Sequence, residues 1–181
     1  MTVESTRDRR AERRESTRAE ILDAAWELAR TRGLAGLSLR DVARKIGMRP
    51  PSLYWYFDSK HAIYDAMFAD GNRQLLARLA EQDWPADPRA ILRLTARVFV
   101  EFSAEDVERY QLLFQRTIPD FEPSPGSYAL AVQVFEQMRG RLAAQQTSND
   151  PGGDRWLRLI DEAADMYADH VLGKPAPRRP R

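Results

Sequence analysis

Apolar residues recur along this chain at three- and four-residue spacing, and runs of alternating polarity are absent. That period predicts helix nearly throughout, with Gly and Pro falling at intervals of one or two helices. Ile21, Leu22, Ala25, Leu28 and Ala29 form the first stripe. Thr17 and Glu20 are spaced as a capping box before it, and Gly33 follows as its stop. Ser38 and Asp41 cap a short second helix with Leu39, Val42, Ala43 and Ile46 on its apolar face, ended by Gly47. Pro50 and Pro51 suit the first turn of a third, equally brief helix reaching about Tyr56. A long fourth helix is predicted over 60–82 and a fifth from Asp87-Pro88 to about 103. A sixth is predicted over 105–117, a seventh over 126–146 and an eighth over 154–172. The three prolines and one glycine of 118–127 predict a loop, and the Asn-Asp-Pro-Gly-Gly run at 149–153 predicts a turn.

These elements predict an all-α chain in four parts. Residues 1–15 are too charged to pack and are expected to be a flexible basic arm. Residues 16–59 form a three-helix module, and 60–173 an antiparallel helical bundle. Residues 174–181, with three prolines, are expected to be a disordered tail. The 181 residues suffice for a core without staples.

Charge adds an asymmetry that the net of +1 conceals. Residues 1–60 carry 13 basic and 9 acidic side chains, and residues 61–170 carry 11 basic and 18 acidic; the last eleven carry 4 basic and no acidic ones. A basic head on an acidic body suggests a polyanion-binding module joined to something else. The chain has no cysteine, which excludes thiolate metal sites and cysteine nucleophiles, and only two histidines. No Ser-His-Asp set, phosphate loop or paired-carboxylate site stands out, so no enzyme activity and no cofactor are expected. The acidic row Asp161, Asp165 and Asp169 beside His170 is spread along a helix by its rise and is read as a solvated face, with no metal. No apolar run reaches bilayer length, and no signal segment opens the chain, so a cytoplasmic protein is expected.

The two short helices joined at Gly47 have the anatomy of a helix-turn-helix. A two-turn helix buries little and nucleates poorly, so such a pair implies a geometric role, one helix crossing a duplex backbone while the next enters the major groove. The residues are specific as well. The run from Leu37 to Gly47 (Leu-Ser-Leu-Arg-Asp-Val-Ala-Arg-Lys-Ile-Gly), followed by Pro51-Ser52-Leu53-Tyr54-Trp55-Tyr56-Phe57-Asp58-Ser59-Lys60, closely resembles the DNA-binding domain of the TetR family. The resemblance covers about residues 16–70. It implies a bacterial transcriptional regulator, in most cases a repressor, binding a palindromic double-stranded DNA operator as a homodimer.

The resemblance implies DNA contacts from Ser38, Arg40, Arg49, Pro50, Pro51, Ser52, Tyr54, Trp55, Tyr56 and Lys60. Arg40 suits a guanine edge, which its fork matches bidentately, or is a solvated charge. Ser38 caps its helix and could donate to a phosphate. Arg49 could read a base or touch a phosphate, and the prolines offer apolar contact to a thymine methyl. Tyr54 and Tyr56 could reach phosphates through their hydroxyls, and Lys60 at a helix start suits one too. Trp55 packs on DNA sugars or on its own domain. Leu53 and Phe57 are expected in the module's core with Trp26, Leu39, Val42 and Ile46. The arginines of the arm (Arg7, Arg9, Arg10, Arg13, Arg14 and Arg18) either touch phosphates or idle in solvent, the interspersed Glu4, Asp8, Glu12 and Glu15 weakening the first reading.

In the body, Trp84, Phe99, Phe102, Tyr110, Phe114, Phe121 and Tyr128 could enclose a small apolar or aromatic effector, or be plain core. Trp156, Ile160, Ala163, Ala164, Tyr167 and Val171 on the eighth helix are assigned to a dimer interface, the alternative being that this stripe packs inside one subunit. Ligand release of a DNA-bound dimer is the resulting functional reading. The alternative is a helical dimer whose helix-turn-helix is degenerate and which acts through protein partners without sensing a ligand.

Overall fold

The computed structural model describes residues 4–144 and 153–172; within the helices its description excludes the side chains of 4–8, 153, 154, 156, 171 and 172. Among the described residues there are eight helices and no strand: α1 (Glu4–Arg32), α2 (Leu39–Lys45), α3 (Pro50–Leu53), α4 (Lys60–Ala80), α5 (Pro88–Glu105), α6 (Val107–Phe114), α7 (Pro125–Ala143) and α8 (Gly153–Leu172). They divide into two compact units, residues 1–67 and 68–181. The division falls inside α4, later than the predicted boundary after residue 59. The predicted tail at 174–181 and most of the 149–153 turn lie outside the described residues.

The first unit starts with a correction. The segment expected to be a flexible arm is helical from Glu4, and α1 runs unbroken through Thr17. The capping box does not form; the Thr17 hydroxyl instead donates to the Arg13 carbonyl at 3.0 Å, one turn back. The physical reason is propensity. Between Glu4 and Arg32 the chain is rich in Arg, Glu and Ala, among the best helix formers, and holds neither Gly nor Pro. An apolar stripe is needed to bury a helix, not to continue one already nucleated.

α1 stops at Gly33, which takes φ +73° while its N–H bonds the Ala29 carbonyl at 2.7 Å. The connection to α2 is tight: a Cβ on Gly36 would lie 2.6 Å from the Arg32 carbonyl oxygen. Two side chains from α4 fasten this loop. The Tyr64 hydroxyl donates to the Leu34 carbonyl at 2.6 Å, and the Lys60 ammonium to the Ala35 carbonyl at 2.8 Å. Ser38 caps α2 as expected, its hydroxyl accepting from the Asp41 N–H at 3.1 Å. Gly47 then turns the chain at φ +68°. α3 is only four residues long and continues as a turn through Tyr56. Such a piece holds no shape alone. Leu53 and Phe57 anchor it, buried with Ile21, Ala25, Trp26, Val42 and Ile63. At about 1.5–3 kcal/mol for each large apolar side chain buried, Leu53 and Phe57 together offset much of the cost of ordering the turn.

The second unit packs the rest of α4 with α5 to α8. Asp87 caps α5 with Pro88 behind it, as expected, its carboxylate accepting from Ala90 N–H at 2.8 Å. α6 is shorter than predicted, because Asp106 interrupts the helix and caps a new one, accepting from Arg109 N–H at 3.0 Å. Arg109 then folds back into the unit. Its guanidinium lies 3.7 Å over the Phe102 ring and donates to the Phe102 carbonyl and to Gln74, both at 2.8 Å. Gly71 lets α4 approach it; a Cβ there would sit 3.1 Å from a Leu113 methyl. α7 opens at Pro125 under a Ser124 cap and packs on α8, tied to it by Arg139 and Asp161 at 3.1 Å.

Candidate nucleic-acid interface and cavity

The helix-turn-helix sorts its side chains by role. Its apolar members face inward, and Arg40, Arg49, Pro50, Pro51, Ser52, Tyr54 and Trp55 are all exposed. Trp55 is 82% exposed and Tyr54 51%, large apolar areas that nothing in the unit covers. Arg40 and Arg49 form no ion pair or hydrogen bond among the described residues, so both guanidinium forks are available to a ligand. Neighbouring cations are engaged: Arg32 and Arg44 flank Asp41 at 3.0 and 2.8 Å, and Lys45 pairs with Glu27. The contrast separates charges that build the module from charges held ready.

Two predicted contact residues are occupied differently. The Ser38 hydroxyl both accepts from the Asp41 N–H and donates to the Asp41 carboxylate at 2.7 Å, so its hydrogen is committed to the cap. That bond, with Arg32 and Arg44 beside it, holds the Asp41 carboxyl below the usual carboxylate range. Lys60 uses one of its three N–H donors on the Ala35 carbonyl and lies 5.4 Å over the Tyr64 ring. Tyr56 is half-buried, and its carbonyl accepts from Arg18 at 2.9 Å. Arg18 also lies 4.4 Å over the Phe57 ring. It is therefore a strut between α1 and the turn after α3, a role its place in an arginine-rich run conceals.

This exposed, unpaired surface sits on residues with known counterparts. Residues 21–67 match the family model for bacterial regulatory proteins of the tetR family. It is to this family that the module is similar. The tetracycline repressor proteins of class D from Escherichia coli and of class H from Photobacterium damsela subsp. piscicida are each 38% identical to it over 69 residues. That covers 38% of this chain and 30% of each relative. The fold extends further than the sequence match. The candidate regulatory protein SCO4313 superposes over 91% of this chain and 88% of its own with a TM-score of 0.63 at 22% identity. The multidrug binding protein EbrR, complexed with imidazole, does so over 88% and 87% with a TM-score of 0.54, also at 22% identity. An all-α tetR-type architecture, helix-turn-helix first and helical domain after, is the result.

Within the second unit lies an apolar cavity of about 300 Å³. Leu75 and Leu79 of α4, Thr95 and Phe99 of α5 and Phe114 of α6 line one part; Val134, Phe135 and Met138 of α7 and Ile160 of α8 complete it. None of these is ionisable. The Thr95 hydroxyl oxygen is buried and has no hydrogen-bond partner. Of the seven aromatics predicted to enclose an effector, only Phe99 and Phe114 reach this space. Phe102 is buried under Arg109, and Phe121 packs edge-on to Phe68 elsewhere. Trp84 donates to the Leu79 carbonyl at 3.0 Å with Arg141 4.5 Å above its ring. Tyr110 stands edge-on to Phe99, and Tyr128 stacks on Tyr167. The missed liners carry a signal in hindsight, since Leu75/Leu79 and Val134/Met138 are i, i+4 pairs.

The α8 assignment is partly corrected. Ile160 is buried against the cavity. Tyr167 donates to the Leu113 carbonyl at 2.9 Å and lies among Phe114, Phe135 and Tyr128, where burial pushes its hydroxyl pKa far up. Both belong to their own unit's core. Ala163 is exposed and Ala164 half-buried, and the side chains of Trp156 and Val171 lie outside the described residues. The large apolar side chains α8 does expose are Leu159 and Met166, the latter at 72%.

Proposed function

We propose that this chain is a DNA-binding transcriptional regulator, most simply a repressor, which binds a palindromic operator as a homodimer and is released by a small molecule. The observation that carries the reading is the pair of unpaired guanidinium groups, Arg40 and Arg49, on a helix-turn-helix whose remaining members are fixed by its core. Arg40 reads a guanine edge, Arg49 meets a base or phosphate, and Tyr54, Trp55 and Ser52 contact the backbone. Leu159, Ala163 and Met166, one i, i+4, i+7 stripe of α8, supply an apolar seam for a second copy. Two modules so paired space their half-sites by about 34–36 Å or a multiple of it.

The cavity supports an effector of definite character. With apolar walls and no ionisable liner, it favours an uncharged, mainly apolar molecule, and the unpartnered Thr95 hydroxyl favours one carrying a single hydrogen-bonding group. α4 supplies Leu75 and Leu79 to the cavity and Tyr64 and Lys60 to the first unit. Release requires that the effector bind the DNA-incompetent arrangement more tightly.

Selection of bound genomic fragments, followed by a gel shift, tests the reading. A fragment retarded specifically, and less so as salt rises, is the expected result. Arg40→Ala should then lose about 1–3 kcal/mol of discrimination at one base pair. An unaltered base preference removes Arg40 from that role, and the absence of any specific fragment removes the function.

A further inference from the structure

The helical extension of α1 makes a second feature of the first unit. Arg10, Arg13, Arg14 and Thr17 form one wall of an open groove of about 500 Å³, and Ser52, Trp55 and Tyr56 form the other. The matched family model begins at residue 21, so the first wall lies outside it. The groove shares its second wall with the recognition segment described above.

Its charge is sorted by the helix. At about 100° per residue, Arg10, Arg13, Arg14 and Thr17 occupy an arc of roughly 100°. Glu12 and Glu15 fall about 150° away from the middle of that arc. Acids that alternate with arginines in the sequence are therefore carried to the opposite side. All three arginines are exposed, and their guanidinium groups form no ion pair or hydrogen bond among the described residues. Three unpaired guanidinium groups on one side and an exposed indole on the other suit a strand that alternates phosphate with sugar. The guanidinium forks match phosphate oxygens, and the indole flanks a deoxyribose.

We propose that this groove is a second DNA site, taking the phosphodiester backbone beside the base pairs that the recognition segment meets. The proposal rests on the DNA-binding reading and adds to it. The extension contributes affinity and salt dependence and leaves base preference to Arg40 and Arg49. Each phosphate neutralised adds about 0.9 to the slope of log affinity against log salt. Three such contacts make the full chain lose roughly 40-fold more affinity between 50 and 200 mM salt than a chain lacking them.

The test compares the full chain with two variants of equal charge loss. One replaces Arg10, Arg13 and Arg14 by Gln, and the other replaces Arg93, Arg97 and Arg158 of the second unit by Gln. Each is titrated with the same selected DNA fragment across that salt range. All six positions are exposed, and an unchanged thermal melt establishes that each variant folds. The expected result is a slope lowered by about 2–3 in the first variant only, with the order of preferred fragments preserved. Equal lowering in both variants makes the effect one of net charge and overturns the groove. A first variant indistinguishable from the parent overturns it while leaving the regulator reading intact. A parent chain that binds no fragment specifically overturns both.

Discussion

Removing one hydroxyl should show how firmly the loop before α2 depends on α4. Tyr64 is 1% exposed and Leu34 3%, and the bond between them is 2.6 Å. Tyr64→Phe keeps the ring and deletes only the donor. The Leu34 carbonyl keeps its bond from the Leu37 N–H at 3.1 Å and loses the second one, at a cost of about 0.5–1.5 kcal/mol. The same deletion spares the Lys60–Ala35 bond, so the loop should loosen without unfolding.

Thermal unfolding followed by circular dichroism and by tryptophan fluorescence, to which buried Trp26 contributes, measures the loss. If the first unit melts by itself, about 1 kcal/mol lowers its midpoint by roughly 4–8 °C; if the chain melts as one, by roughly 2–4 °C. Tyr54→Phe is the internal contrast. That ring is 51% exposed, and its hydroxyl has no partner among the described residues, so stability should change by less than about 0.5 kcal/mol. DNA affinity should respond in the opposite pattern near room temperature, falling for Tyr54→Phe and holding for Tyr64→Phe. A midpoint for Tyr64→Phe within a degree of the parent would refute the claim that this buried bond fastens the loop.

Thr95→Val replaces the partnerless buried hydroxyl by a methyl of similar size, which should leave the second unit as stable or slightly more so in urea denaturation. It should also weaken any ligand that pairs with that oxygen, as read by calorimetry, while leaving a purely hydrocarbon ligand unaffected; a clear loss of stability would mean that the hydroxyl is satisfied after all. Acid should act on the first unit through Asp41, whose carboxyl is held low by Ser38 first and then by Arg32 and Arg44. A folded pKa below the unfolded one contributes stability that is complete above about pH 4 and is lost as pH falls through the depressed value. The melting midpoint should therefore drop as pH falls below about 4, and less steeply in Asp41→Asn; parallel curves for the two proteins would exclude Asp41 as a source.

The parts of the fold that were legible in the sequence are those settled within a few residues. Ser38 and Asp87 announce helix starts because their oxygens bond an N–H three residues on, and Gly33 and Gly47 announce ends because they reach positive φ without strain. The signature from Leu37 to Lys60 was legible for the same reason: the whole motif lies within one short stretch. The cavity was not legible. Its lining is drawn from five helices, and whether an aromatic borders it or fills the core beside it depends on partners far off in the chain. Phe102 and Phe99, three residues apart on one helix, went to different places because Arg109 claimed the first. The eighth helix failed in a related way. Its apolar residues cover more than half a turn, so periodicity names an apolar side without saying which edge meets its own unit. The structure gives Ile160 and Tyr167 to the core and leaves Leu159 and Met166 outside.

The arm shows that a charge pattern has no electrostatic meaning until its geometry is known. Read as a linear string, Arg9 to Arg18 is basic but interrupted by Glu12 and Glu15, which dilute its field. Coiled into α1, the same residues are redistributed in steps of about 100°, and the interrupted string becomes a helix with one basic side. The distance scale makes the difference physical. Charges on one helix side lie closer together than the ~8 Å Debye length of physiological salt, so they act on a phosphate as a group. Those on the far side act through the helix and solvent, screened over a longer path. If the extension is melted locally, for instance by Arg13→Pro, the arginines should lose their common direction and much of the salt-dependent affinity while every charge but one remains. A triple Gln variant loses the same affinity by removing charge; the proline variant loses it by removing order. Agreement between the two would assign the effect to the helix that holds the arginines and not merely to their number.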